Sequence, residues 1–258
     1  MTQPALTHDQ IRDFAAASQE LAGKVVLVTG STSGIGRAVA LEAARLGATL
    51  VLLGRDEKAL NEVYDAIEEA GGATPAMAVM DFETASLSDM QLLAEQLTQN
   101  YGRLDGLVHC AAKLGVLTPL SQYPLDQFER VMRINAQAPF MLTQACFELL
   151  TNSSSASVIF TTSTVGHEDR AYWGAYALSK GVTESLSGIW SDETKNLNQI
   201  RFNSINPGAV RTAMRVQAYP GEDPRTLKTP EQICGGFIAL LSDKAIGIRA
   251  QMIDLQPK

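Results

Sequence analysis

Cysteine and histidine are scarce in this chain: Cys110, Cys146 and Cys234, and His8, His109 and His167, are the whole supply in 258 residues. The cysteines follow no metal-ligand spacing, and an odd, sparse set does not make a disulfide framework. Zinc ribbons and disulfide-stapled secreted modules are thereby excluded. Buried, reduced thiols in a cytoplasmic protein are the expectation. The histidines are scattered, so no metal site is expected, and only His167 lies near the residues singled out below. Long apolar runs are also missing. No stretch reaches the ~18 residues of a transmembrane helix, and the N-terminus lacks the basic segment and apolar core of a signal peptide. Positive charge is in deficit, with 21 Lys and Arg against 28 Asp and Glu and a net charge of −7. No basic stripe is visible, so neither nucleic acid nor membrane is expected as a partner. A Pro/Gly/Ser-rich linker is absent from the middle, and the one low-complexity patch, Asn152-Ser153-Ser154-Ser155, reads as a solvated loop.

What is present is an alternation. Apolar runs near 25–29, 48–53, 76–80, 105–110, 157–162, 200–206 and 250–254 read as strands. Amphipathic stretches near 34–46, 56–70, 86–100, 125–150, 171–197 and 230–241 read as helices. Alternating βαβ units imply an α/β fold, a Rossmann-type doubly wound parallel sheet of about seven strands with helices on both faces. With 45% hydrophobic residues a large core is feasible, and residues 23–258 read as one domain. Residues 1–22 form an N-terminal extension with a possible capping box at Thr7-x-x-Gln10 and a loose apolar face of Ile11, Phe14, Ala15 and Leu21, so a short helix is expected there.

The first strand breaks into Thr29-Gly30-Ser31-Thr32-Ser33-Gly34-Ile35-Gly36, and a helix pattern follows at Arg37. Glycines allow a tight turn and close approach of a pyrophosphate, and a helix N-terminus favours the anion. The spacing is G-x-x-x-G-x-G. At the end of the second strand, where an acid holds the ribose 2′-hydroxyl in NAD sites, the chain has Leu53-Gly54-Arg55. A guanidinium suits a 2′-phosphate, so NADP(H) is expected over NAD(H). Asp56 reads as the N-cap of the next helix. Further on, Tyr176 and Lys180 are one helical turn apart and share a face. A nearby ammonium favours a phenolate, lowering a tyrosine pKa from about 10 toward neutrality. Ser163, thirteen positions before Tyr176, can hold a substrate oxygen at the same spot.

Taken in this order, these motifs resemble the short-chain dehydrogenase/reductase family over about residues 22–258, with Asn135 in Ile134-Asn135-Ala136 and the stretch Asn206-Pro207-Gly208 adding to the match. Trp173 through Lys180, Arg211 through Arg215, and Asp223-Pro224 most resemble its bacterial YciK-like oxidoreductases. The resemblance implies hydride transfer between a nicotinamide and a carbonyl or hydroxyl carbon of a small molecule. It makes Tyr176 the proton donor, Ser163 the holder of the oxygen, and Lys180 the group that tunes Tyr176 and binds the ribose. Asn135 would open its helix and hold a water leading to Lys180. Gly30, Ser31, Ser33, Gly34, Ile35 and Gly36 would cradle the cofactor, with Asp81 at the adenine and Ala111, Pro207, Gly208, Val210 and Thr212 along its length. The family's Asn-Asn-Ala-Gly signature is replaced by His109-Cys110-Ala111-Ala112, where only Ala111 matches.

The segment 211–229 is long, with Tyr219, Pro220, Gly221 and several arginines, and reads as a mobile substrate lid. Tyr172 and Trp173 are candidates to border the substrate. Family members form homodimers or homotetramers through the two long helices, here near 125–150 and 171–197. Ala175, Leu178, Val182, Leu186 and Ile189 would supply a contact face or serve the core. A dinucleotide-binding sensor without turnover is the alternative from another class, and it would not need the Asn135, Ser163, Tyr176 and Lys180 set. An epimerase or dehydratase of the extended branch fits less well, because the chain ends soon after its seventh strand.

Overall fold

The computed structural model describes residues 6–197 and 199–257. Residues 1–5 of the N-terminal extension lie outside the described residues. Seven strands form one parallel sheet in the order β3-β2-β1-β4-β5-β6-β7. They are β1 Val25–Thr29, β2 Thr49–Gly54, β3 Ala76–Val79, β4 Gly106–His109, β5 Ala156–Thr161, β6 Ile200–Asn206 and β7 Met252–Asp254. The order reverses between β1 and β4, which places a crevice outside their carboxyl ends. Central strands are buried on both faces and alternate between two cores. Val26 and Val28 of β1 join the first with Leu50, Leu52, Val108 and Ile159. Leu27 joins the second with Val51, Leu53, Leu107, Val158 and Phe160. Each fully buried leucine contributes about 1.5–3 kcal/mol, so this two-sided alternation holds the sheet between its helical layers.

The first core is covered by α1 His8–Arg12, α2 Gly34–Arg45, α3 Glu57–Glu69 and α10 Pro230–Leu241. Thr7 and Gln10 form the expected capping box on α1, and Ile11 and Leu21 are wholly buried. The extension therefore anchors in this core, with Glu20 reaching Lys244 and Ser242. The second core lies under α4 Leu87–Tyr101, α6 Ala138–Ala145 and α7 Phe147–Thr151.

The stretch 125–150, expected as one helix, is interrupted. After α5 Leu125–Met132 comes a π-helical turn, Arg133–Gln137, and Cys146 separates α6 from α7. The helix expected over 171–197 is α8 Gly174–Glu193. It starts late because Tyr172 has φ of 76°, outside the helical region. The lid segment is also structured, with α9 Ala213–Ala218 and a 3₁₀ turn at Pro224–Thr226. Among the described residues no helix is long and apolar enough to cross a membrane, and no group of three metal-ligating side chains could hold an ion.

Candidate active site

A cleft of about 430 Å³ opens at the carboxyl ends of the strands, along the β1/β4 switch point. Its first wall is the turn after β1. Gly30 has φ of 65°, and a Cβ there would meet the Ala111 backbone at 2.9 Å, so only glycine fits between the two loops. Thr29 locks the same junction, its hydroxyl accepting from the backbone N–H groups of Cys110 and Ala111, both at 3.1 Å. The N-terminus of α2 points into the cleft with Ser33 as N-cap, and no side chain occupies the cap hydrogen bond. Its first N–H groups are thus available to an anion. At the far end Arg55 and Asp81 reach the cleft from the ends of β2 and β3.

Among lining residues the cations Arg55, Lys113 and Lys180 stand against a single acid, Asp81, while Arg215 is paired with Glu222. In a chain of net charge −7 that is a local positive site. Uncapped helix N-terminus, glycine turn and cations together fit a phosphate-bearing dinucleotide. Asp56 caps α3, accepting from Ala59 N at 3.1 Å, and is not among the residues that line the cleft.

The opposite end of the cleft holds Ser163, Tyr176 and Lys180. Ser163 follows β5 in extended backbone, while Tyr176 and Lys180 lie one turn apart on α8. The Ser163 hydroxyl lies near the Tyr176 phenol. Lys180 is buried, donates to the Thr161 carbonyl at 2.7 Å, and has its ammonium 5.6 Å from the Tyr176 ring centroid. Burial dominates both ionisations. The Tyr176 phenol is pushed up to about 12, with the Ser163 hydroxyl opposing. Burial drives Lys180 down to about 8, with Cys110 and Glu184 opposing. The expected lowering of the Tyr176 pKa by Lys180 is not seen. Desolvation outweighs an ammonium that is turned toward the Thr161 carbonyl.

Asn135 sits in the π-helical turn, where the altered backbone pitch lets its amide face the loop after β4. Its Oδ1 accepts from Lys113 N at 2.7 Å, and its Nδ2 donates to Lys113 O at 2.9 Å and Ser179 Oγ at 3.0 Å. It does not itself line the cleft.

The short chain dehydrogenase family profile matches residues 24–223. The chain belongs to the short-chain dehydrogenase/reductase family. It is 43% identical over 234 residues to the oxidoreductase YciK of Escherichia coli K12, covering 91% of this chain and 92% of that one. A short chain dehydrogenase from Shigella flexneri 2a, solved with NADP, superposes with a TM-score of 0.91 at 42% identity, over 93% of this chain and 100% of that one. One from Escherichia coli CFT073, solved with NADPH, superposes with a TM-score of 0.90 at 42% identity, again over 93% and 100%.

Within this short-chain dehydrogenase/reductase cleft most expected positions are lining residues: Gly30, Ser33, Gly34, Ile35, Gly36, Arg55, Asp81, Ala111, Pro207, Gly208, Val210 and Thr212. Ser31 is the exception among the cradle residues. It is fully buried and donates to the Leu53 carbonyl at 3.3 Å, while its neighbour Thr32 faces the cleft. Thr212 caps α9, and its methyl group lies 3.4 Å from where a Cβ on Gly34 would stand. The lid is thereby rooted against the cradle.

His109 is a core residue, stacked on Phe160 at 4.9 Å and joined to Thr143 Oγ1 at 2.9 Å. Burial pushes its pKa down to about 3, so it stays neutral. His167 pairs with Glu184 at 3.0 Å and does not reach the cleft. Trp173 lines the cleft, whereas Tyr172 is exposed outside it. Cys146 and Cys234 are buried free thiols, and Cys110 is half-buried at the cleft. Lys113 and Leu114, which no motif marks, also line it.

Proposed function

We propose that this short-chain dehydrogenase/reductase is an NADPH-dependent carbonyl reductase, running in reverse as an alcohol dehydrogenase, with Tyr176 as general acid and base. The observation that carries this is the meeting of Ser163, Tyr176 and Lys180 at one end of a cationic cleft whose other end holds Arg55 and an uncapped helix N-terminus. The NADP and NADPH bound by the two solved relatives support the cofactor, as does the Arg55 guanidinium, which suits a 2′-phosphate. When bound, the nicotinamide supplies or accepts the hydride.

The protein's part is proton transfer and charge stabilisation. Ser163 donates a hydrogen bond to the substrate oxygen, and Tyr176 gives that oxygen a proton as the carbon is reduced. A phenol held protonated by burial suits the donor's part in reduction. Lys180 keeps its positive charge below about pH 8, where it stabilises phenolate left by proton donation. Asn135 ties the Lys113 backbone to Ser179 of α8, and so positions the helix that carries both groups.

The proposal extends to a homodimer or homotetramer formed through α5, α6 and α8. Its support is exposed apolar surface there: Phe140 is 38%, Leu178 51%, Val182 36% and Ile189 56% exposed, beside a groove lined by Phe128 and Leu186. Ala175 is wholly buried and serves the core instead. The three free thiols fit the reducing cytoplasm.

The test is NADPH consumption across ketones, aldehydes, quinones and 3-oxoacyl thioesters, with Tyr176→Phe run alongside. Turnover should fall by about 10²–10⁴-fold in the variant, with NADPH binding retained by fluorescence. Tight NADPH binding with no turnover of any class would favour a sensor. A variant as active as the parent would remove Tyr176 from the mechanism.

A further inference from the structure

We propose that the substrate is a carbonyl compound carrying an apolar alkyl or aryl substituent of limited length, and that Ala218, backed by Tyr219, sets the limit. This rests on the reading of Tyr176 as proton donor, because it locates the carbonyl. Tyr176 does not belong to either main core. It forms a third, small apolar cluster with Leu114, Val165 and Trp173, against which Met214, Ala218 and Tyr219 of the lid are packed. Leu114, Trp173, Met214 and Ala218 also line the cleft. This apolar cluster is therefore open on the side where a substrate must lie. A carbonyl oxygen placed at Ser163 and Tyr176 directs one of its substituents into an apolar box.

The end of the box is rigid. The Tyr219 ring lies 5.8 Å from that of Trp173, and the Trp173 ring lies 5.7 Å from that of Tyr176. Arg170 donates to the Tyr219 hydroxyl at 2.6 Å. The Arg215 guanidinium covers the Tyr219 ring at 3.7 Å and is itself held by two bonds to Glu222, at 2.6 and 2.7 Å. The lid residues that face the cleft, Met214 and Ala218, are thus backed by a tyrosine fixed by its hydroxyl, by one face and by its aromatic neighbour. Glu222 neutralises Arg215, so this wall offers no free charge. The competing attraction is Lys113, a cleft cation. It would favour a substrate with a carboxylate.

The experiment measures dissociation constants of alkyl phenyl ketones of increasing chain length, and of their ω-carboxylated counterparts, on the NADP⁺-saturated full chain by calorimetry. Affinity should rise by about fourfold per methylene, the ~0.8 kcal/mol of a buried CH₂, and then stop rising. Tyr219→Ala should move that stop to longer chains, and Ala218→Leu to shorter ones. The ω-carboxylates should bind more weakly than the neutral ketones. Tighter binding of the carboxylates, no dependence on chain length, or the same stop in both folded variants would overturn the proposal. The two lid variants act in opposite directions, so loss of one to misfolding leaves the other decisive. NADPH turnover of the same ketones is measured in parallel. The expected binding profile with no turnover would count against Tyr176 as proton donor and leave the box intact.

Discussion

Arg55 shows how much a single position can carry. The residue before it, Gly54, has so little room that a Cβ would stand 3.0 Å from the Thr32 side chain. The chain therefore turns closely around the cradle and delivers the Arg55 guanidinium to the cleft. Charged hydrogen bonds contribute about 1.5–3 kcal/mol. Arg55→Ala should accordingly reduce the NADPH-to-NADH ratio of kcat/KM by about 10- to 100-fold, read from steady-state kinetics with each cofactor. An unchanged ratio would remove Arg55 from cofactor choice. Asp56 as a helix cap was legible beside it, since capping is a local matter of a short side chain and the next few amides. Ser31 was not legible as a buried residue. In a turn, which of four consecutive side chains faces the ligand depends on the backbone path, here set by contact with Ala111 across the sheet. The Tyr176 pKa was misjudged for a related reason, because a pairwise rule about a neighbouring lysine contains no desolvation.

At the scale of elements, the largest difference lies in the stretch expected as a helix over 125–150. Its apolar spacing persists through the π-helical turn, so periodicity alone does not reveal the break. The reason for the break is Asn135, whose amide is spent on Lys113 N, Lys113 O and Ser179. Asn135→Ala would leave the Lys113 N–H and C=O without these partners, each costing about 1–3 kcal/mol. Thermal denaturation should show a lower Tm, and kcat should fall more than NADPH affinity. Asn135→Asp should rescue part of the loss, because a carboxylate accepts from Lys113 N but gives nothing to its carbonyl. Equal kcat in the wild type and the alanine variant would show the turn to be idle. The lid was legible as a long segment of special composition, but its α9 was not. Six residues are too few for a periodic signal, and the helix is held by Thr212 at its cap and by the contacts of Tyr219.

For the molecule as a whole, the surface of α6 and α8 is the feature with most consequence. Phe140 and Val182 are exposed apolar residues on the groove between these helices. A pair of unpaired carboxylates buried there would cost several kcal/mol per interface. Phe140→Glu combined with Val182→Glu should therefore convert the proposed oligomer to a monomer by light scattering, with circular dichroism unchanged. A wild-type chain that is already monomeric at micromolar concentration would dispose of the interface.

The sequence by itself determined the sheet, because its central β-branched and leucine-rich runs can be satisfied only by burial on both faces, and alternation with helices makes their order parallel. It also determined the chemistry-bearing pair Tyr176 and Lys180, which local helical geometry brings together. Tertiary structure decided what those groups face. It placed Leu114 and the lid residues around Tyr176, put His109 on Phe160 rather than in the cleft, and turned Lys180 toward Thr161. Those outcomes depend on burial and on contacts between residues tens of positions apart, which spacing along the chain does not encode.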